Sequence, residues 1–354
     1  GGFYGAIEDP VSGKIYHLLI GLASDKFIFL FSLLFGMGFF MIYSKPWDKE
    51  RSFLTIYLRR LFFLGLFGIL HTIFFYAGDI LLGYAILGFL LTFMRNWNSR
   101  LLLFISVFLY FFPPLYIYIQ GYFPILPDSL SSVTNYTLDQ IIPLYSEGNF
   151  LEITRLRVHE FIAFRNINIL YYWPKILSLF ILGMLSMKHD IINRLNSNRE
   201  TTSSILFFTI AIAIFFYFTF EYIATVFAGN STHAFPALYM GMYEIMNIFF
   251  GFGYALLVIY LTSFRIGKTI LRPFSFAGRM ALTNYILQSL ICSLVFYGYG
   301  LGYFGMTKLS NLLFISIAII IFQFIYSWIY LKYFNYGPLE WLWRKLTYGN
   351  FKNK

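Results

Sequence analysis

An all-α bundle of transmembrane helices is the fold this sequence predicts, and three observations predict it. The 354 residues are 59% hydrophobic, 23% aromatic and only 12% charged, with a mean hydropathy of +0.68. A soluble chain of this size could not cover that much apolar surface. The apolar runs are long enough to cross a bilayer. They also lack the two-residue alternation of barrel strands, so the helix is the structure that satisfies every backbone group in lipid.

Composition also excludes several classes. The single cysteine, Cys292, lies in an apolar run and rules out an intrachain disulfide and a cysteine-based zinc cluster; no metal is expected. A net charge of +10 would suit nucleic acid in a soluble chain. Here the basic residues sit in short segments between spans, where they set topology, so nucleic acid is not an expected partner. No cleavable signal peptide opens the chain, which starts Gly-Gly and reads as beginning downstream of its natural start.

Taken in order, residues 1–25 are mixed, with Asp9-Pro10 and His17, and read as a loop or surface turn. The run 26–43 makes one crossing, with Gly36 and Gly38 offering a close helix contact. Residues 45–60 carry five basic residues and mark a cytoplasmic loop. The segment 61–76 then goes out and 80–94 comes back, with Arg95 and Arg100 marking the inside again. Residues 101–119 go out, and Pro113-Pro114 must bend or stop that helix.

Residues 120–168 form the longest non-membrane stretch, an external loop containing the amphipathic piece 151–166. The segment 171–187 returns, and 188–200 is a polar cytoplasmic loop. Spans over 205–225, 238–263, 274–297 and 309–333 follow, giving nine crossings within a single transmembrane domain. The tail, 335–354, is a cytoplasmic interfacial segment whose Glu340-Trp341-Leu342-Trp343-Arg344 suits the headgroup level. Inside segments hold 18 Lys/Arg (5, 2, 3, 3 and 5 in order) and outside segments 7, with Arg279 inside a helix. That bias puts the C-terminus in the cytoplasm of a bacterial-type cell membrane and Gly1 outside. A start outside with no preceding crossing implies ten helices in the intact protein.

The chemistry centres on residues 59–84, RRLFFLGLFGILHTIFFYAGDILLGY. Ionisable groups within lipid-length segments are costly and need a structural or functional reason. His71 lies about 16 Å along the helix from Arg60 at 1.5 Å per residue, and a tight turn at Ala77-Gly78 brings Asp79 back toward it. The pair is a candidate acid–base couple, with histidine suited to proton transfer near neutral pH and the carboxylate fixing its tautomer. A neutral imidazole bonding a carbonyl or serine between helices is the structural alternative, and Gly-Asp before an apolar run also suits a helix N-cap. Asn284 and Gln288, four residues apart, share a helix face that either joins helices or lines a cavity. Glu244 and Asn247 also share a face, and a carboxylate so deep requires a basic partner or a functional role.

Five stretches carry a resemblance: FLFSLLFGMG (29–38), RRLFFLGLFGILH (59–71), GDILLGYA (78–85), GRMALTNYILQSLIC (278–292) and GPLEWLWRKLTYG (337–349). Through them the chain resembles the YeiB-like family of bacterial polytopic membrane proteins, a domain of unknown function. That family is distantly similar to the transmembrane acyltransferase superfamily, including heparan-glucosaminide acetyltransferase and the membrane O-acetyltransferases of bacterial glycans. The opening helix with a Leu-Asp-x-Leu-Arg-Gly-type motif is absent from this chain.

The resemblance implies a membrane-bound acyltransferase with cytoplasmic acyl-CoA as co-substrate and an extracytoplasmic glycan or lipid as acceptor. His71 would then be the general base, supported by Asp79, with His17 as a rival because the related enzymes keep a histidine before their second helix. Arg59, Arg60 and Arg279, with Asn284 and Gln288, become candidate contacts for the acyl-CoA, since arginine forks suit phosphate oxygens. Interfacial anchoring is the first reading of Arg59 and Arg60, and phosphate binding the functional alternative. The remaining expected partners are the bilayer and, as an open option, a second copy of the chain. A transporter or flippase for a small envelope precursor is the alternative from another class.

Overall fold

The structure is a computed structural model that describes residues 10–47, 52–122, 138–163, 168–226 and 234–349. Among them the chain is all-helical. In order come α1 (Pro10–Leu22), α2 (Lys26–Tyr43), α3 (Phe53–Phe74), α4 (Leu81–Met94) and α5 (Ser99–Tyr122). Two short helices follow, α6 (Leu138–Glu147) and α7 (Phe150–Ala163), then a single π-helical turn (Asn168–Tyr172) running into α8 (Trp173–Lys188). The chain continues through α9 (Ile191–Ser197), α10 (Arg199–Val226), α11 (Ala234–Thr262), α12 (Arg265–Arg279), α13 (Ala281–Phe296), α14 (Leu309–Tyr333) and α15 (Pro338–Tyr348). This is a multi-pass membrane protein: among the described residues seven helical segments, with α1 and α2 counted together, are long and apolar enough to cross a bilayer.

The nine expected crossings correspond to those seven, the pair α12–α13, and α4. The pair is bent by 75°, and α4 has only 14 residues, fewer than the roughly 20 that a perpendicular span needs. The bend corrects the single span expected over 274–297. Arg265, Lys268, Arg272 and Arg279 make α12 too cationic to join a lipid-spanning run. The helix stops at Met280 (φ −115°, ψ 30°), and the Asn284 side chain donates to the Ala277 carbonyl at the break (3.2 Å).

Three further expectations are corrected or narrowed. Of the stretch read as a loop, residues 10–22 form α1. It ends where Asp25 takes a left-handed conformation (φ 61°), and the Lys26 ammonium donates to the Ile20 carbonyl at 2.8 Å, closing the helix C-terminus. Pro113 and Pro114 do not stop α5, which runs on to Tyr122; in a bundle, neighbouring groups can take up the freed carbonyls. Of the stretch read as an external loop, 138–147 and 150–163 are the helices α6 and α7, while 123–137 lie outside the described residues.

Local signals explain several helix starts. The Ser52 hydroxyl accepts from the Thr55 amide at 3.2 Å, capping α3. Proline at the first turn opens α8 and α15. The largest core joins α2, α3, α4 and α8 through Phe39, Tyr57, Tyr84, Leu91 and Phe180, all nearly sealed from the surface. In lipid no hydrophobic force draws helices together, so close backbone approach carries the packing. At the α2–α8 crossing, a Cβ on Gly36 would overlap the Phe180 carbonyl, and one on Gly183 would overlap the Leu33 carbonyl. Gly38, the other expected contact glycine, has open space around it.

This crossing sets a test. Gly183→Leu forces a side chain onto a backbone carbonyl that cannot swing aside, and overpacking of this kind costs about 1–3 kcal/mol or more. Its melting temperature in detergent is expected to fall clearly below the parent's, while that of Gly38→Leu stays level. Equal melting of the two variants would refute the reciprocal glycine contact.

Candidate functional site

His71 sits in the last turn of α3, and Asp79 closes the turn that leads into α4. The His71 Nδ1 lies 2.8 Å from Asp79 Oδ1, and both side chains are fully buried. A carboxylate can only accept, so Nδ1 carries the proton and Nε2 is left with the lone pair. The other carboxylate oxygen, Oδ2, accepts from the Leu82 amide at 2.9 Å. Asp79 thus acts both as partner of the histidine and as cap of α4. Gly68 makes room for it: a Cβ there would stand 2.5 Å from Leu82 N and 2.7 Å from Asp79 Oδ2.

A third group joins them from the far end of the sequence. The Tyr285 hydroxyl, on α13, donates to Asp79 Oδ1 at 3.3 Å, and its ring lies 4.7 Å from the imidazole, centre to centre. His71 Nε2 is buried without a hydrogen-bond partner among the described residues.

Two cavities flank this cluster. One, of about 420 Å³, is lined along α13 by Tyr285, Gln288, Ser289, Cys292 and Ser293, and closed by aromatic residues. The other, of about 240 Å³, lies against Asp79 and is lined by Ile28, Ile80, Leu82, Phe161 and Trp173. Tyr76 borders both. Helix α7 covers this side of the bundle: Arg157, fully buried, donates to the Phe74 carbonyl at the end of α3. Beside it Tyr145 donates to Glu160 at 2.6 Å. Burial outweighs that hydrogen bond and holds the Glu160 carboxyl above the usual carboxylate range.

The remaining candidates lie elsewhere. His17 is on the exposed face of α1, 3.0 Å from Glu221 of α10, and takes no part in the His71 cluster. Arg60, near the opposite end of α3, stacks 3.8 Å over the Trp343 ring, whose indole N–H donates to the Arg60 carbonyl at 2.9 Å. That geometry anchors α15. Arg59 is exposed and borders a shallow depression with Phe62, Phe63 and Leu346. Arg279 ends α12 and donates to the Asn335 carbonyl at 2.9 Å.

Asn284 and Gln288 part company. Asn284 donates to Ser327 of α14 at 2.9 Å, and Gln323 donates to the Asn284 carbonyl at 2.8 Å. It therefore joins two helices, while Gln288 borders the larger cavity. Sequence spacing missed Tyr285. Its signal was the row 285, 288, 289, 292, which has helical periodicity but differs by one residue from the face chosen.

The basic partner of Glu244 is Lys175 of α8, at 2.7 Å. Asp25 stands 3.6 Å from the same ammonium; the Tyr171 hydroxyl donates to Glu244 and the Tyr243 hydroxyl to Asp25, both at 3.4 Å. Glu244 Oε2 and both amide atoms of Asn247 are buried without partners among the described residues. They face a void of about 20 Å³, enough for one water molecule.

The family described as "Protein of unknown function (DUF418)" matches residues 186–350, which include the α13 wall of the larger cavity. The uncharacterized protein YxaH of Bacillus subtilis (strain 168) is 30% identical over 91% of this chain and 79% of its own length. The uncharacterized protein YeiB of Escherichia coli (strain K12) is 30% identical over 98% of this chain and 87% of its own. An uncharacterized 39.9 kDa protein of Bacillus acidopullulyticus is 26% identical over 92% and 80%, respectively. No solved structure matches the chain.

The Lys175–Glu244 pair gives the second test. Removing one partner of a buried pair leaves an uncompensated charge and costs about 3–5 kcal/mol, whereas replacing both by apolar groups is often close to neutral. Lys175→Met is expected to destabilise strongly, and adding Glu244→Leu to recover most of the loss in an unfolding titration. A double variant as unstable as the single would show that the two charges are not a pair.

Proposed function

The chain belongs to the DUF418 family, which brings no activity with it, and from its distant resemblance to the transmembrane acyltransferases, taken together with the His71 site, we propose that it is a membrane acyltransferase. The donor is an acyl thioester, acyl-CoA as co-substrate, and the acceptor is a hydroxyl-bearing envelope glycan or lipid. One observation carries the reading: a buried histidine whose Nδ1 is tied to a carboxylate while its Nε2 has no partner among the described residues, with one cavity against its neighbour Tyr285 and another against Asp79, His71 itself lining neither.

In the proposed reaction Nε2 takes the proton from the acceptor hydroxyl as its oxygen attacks the thioester carbonyl carbon. Asp79 holds the resulting imidazolium and fixes its orientation. The tetrahedral intermediate collapses, the C–S bond breaks, and the leaving thiolate takes the proton back from His71. Tyr285 holds Asp79 in place, and we assign to Tyr76, at the border of both cavities, the hydrogen bond to the carbonyl oxygen as charge develops there. The Arg59–Arg60 end of α3 and the basic helix α12 are placed in the cytoplasm of a bacterial cell, by the positive-inside bias, and the His71 end faces outward.

A transporter or flippase draws on a different observation, the buried Lys175–Glu244–Asp25 cluster beside its own small void. Uptake of an envelope precursor into proteoliposomes, with no acyl turnover and with loss of flux in Glu244→Gln, is the outcome expected of that reading.

For the enzyme, labelled acetyl-CoA supplied to membranes containing the protein is expected to label a glycan or lipid fraction. His71→Gln should reduce that rate about 10²–10⁴-fold, the usual worth of a general base. Asp79→Asn should reduce it too, while His17→Ala leaves it unchanged. Saturating acyl-CoA should also raise the melting temperature of the purified protein, since a ligand at 100 times its Kd stabilises by about 2.7 kcal/mol. No labelled product together with no thermal shift from acetyl-CoA or longer acyl-CoAs would end this reading.

A further inference from the structure

From Ile245 to Leu339 the sequence contains no Asp or Glu, yet within that stretch α12 alone holds Arg265, Lys268, Arg272 and Arg279. Arg279 is taken up by the Asn335 carbonyl. Arg265, Lys268 and Arg272 are exposed, and no ion pair among the described residues includes them. With 3.6 residues per turn, the four cations fall within about 60° of one another around the helix.

The opposite side of α12 is apolar. Ile266, Ile270 and Phe274 recur there every fourth residue, and they are 75%, 57% and 57% exposed. A 75° bend turns α12 away from α13, so the two cannot both follow the bilayer normal. Phe274 packs edge-on against Phe324 of α14, with 5.0 Å between ring centres. One turn further along α14, Trp328 is exposed, and its ring lies 3.4 Å from the Lys332 ammonium. Tryptophan beside lysine near the end of a span marks the headgroup level. A helix at that depth, apolar on one side and cationic on the other, lies in the interface with its apolar side among the acyl chains.

We infer that α12 binds the headgroups of anionic phospholipids, with Arg265, Lys268 and Arg272 as the contacts, in the leaflet at the Arg60 end of the bundle. That end is fixed by α15, which joins Thr283, just beyond the bend, through Glu340 and Arg60 through Trp343. Phosphate esters supply the counter-charge that the protein does not: the arginine forks suit their oxygens, and the lysine adds a point charge. A zwitterionic headgroup carries its own ammonium and gains little from the stripe. A soluble phosphate meets only the cations, whereas a phospholipid also meets Ile266, Ile270 and Phe274 with its chains. The site is independent of the acyltransferase reading.

The test uses the purified full chain, freed of lipid in a neutral detergent and titrated with phosphatidylglycerol or phosphatidylcholine. Bound lipid is counted by native mass spectrometry. Phosphatidylglycerol is expected to bind more tightly, and the preference to shrink as salt is raised. The triple variant Arg265→Gln, Lys268→Gln, Arg272→Gln should weaken phosphatidylglycerol binding about tenfold or more. Arg100→Gln, Lys188→Gln, Arg194→Gln removes the same charge from other exposed positions and should leave binding unchanged. Hydrogen exchange of the unaltered chain in nanodiscs gives a reading free of any folding defect: amides 265–272 should exchange more slowly in phosphatidylglycerol than in phosphatidylcholine.

Equal binding of the two lipids would overturn the assignment. So would equal losses in the two triple variants, which would leave only net charge, or exchange at 265–272 that is the same in both discs. Displacement of the lipid by coenzyme A at the same concentration would give the cations to a soluble phosphate ligand and remove the lipid site.

Discussion

An ionisable group moved from water into a membrane interior must find a partner there, and the bundle is arranged around that constraint. His71 meets Asp79, Lys175 meets Glu244 and Asp25, Lys26 meets the Ile20 carbonyl, and Arg157 meets the Phe74 carbonyl. Each contact joins different helices or different ends of the chain. Lys175–Glu244 ties α8 to α11, and Asp79 with Tyr285 ties the α3–α4 turn to α13. In lipid, where burial of apolar side chains does not drive association, such contacts and the glycine crossing of α2 with α8 specify which helices lie together. The outward surface shows the complement: α14 presents Phe314, Ile317, Ile321 and Ile325 to the bilayer.

What was legible in the sequence follows the range of each interaction. His71 and Asp79 are eight residues apart across one turn, so chain geometry alone brings them together. Tyr285 lies 206 residues from Asp79, and Lys175 lies 69 from Glu244; nothing local points from one to the other. The need of Glu244 for a basic partner could be read from the sequence, and the identity of that partner could not. Helix faces were harder still, because a span apolar on all sides shows no stripe that selects its inner face. Asn284 and Gln288 were grouped by a four-residue spacing, yet α13 turns Asn284 toward Ser327 and its neighbour Tyr285 toward the dyad. The bend at Met280 escaped for a related reason: hydropathy reads through Phe274–Phe276, while the four cations of α12 decide where the span begins.

The two ends of α3 divide the molecule's work. At one end Arg60 is taken up by the Trp343 ring and carbonyl contact, which fastens α15 beneath the bundle. At the other, the polypeptide reverses within a few residues, and the reversal is held by Asp79, by Gly68 beneath it, and by Arg157 closing the last turn from α7. Backbone groups at a helix end are unsatisfied by the helix itself, and here side chains take them up: Asp79 the Leu82 amide and Arg157 the Phe74 carbonyl.

The backbone dipoles at this reversal act in one direction. His71 is in the C-terminal turn of α3, where a positive charge is favoured, and Asp79 stands at the N-terminus of α4, where a negative charge is favoured. Both dipoles therefore match in sign an imidazolium and a carboxylate placed there. In the proposed reaction those are the charges the pair carries once the base has taken its proton, and fixed dipoles need no reorganisation to meet them. Tyr285 reinforces the same state, since its hydroxyl donates to the oxygen that must stay negative. A histidine kept only to join two helices would need one hydrogen bond. This one has a fixed tautomer, stands between two helix ends and shares its carboxylate with a phenol, while its other ring nitrogen has no hydrogen-bond partner among the described residues.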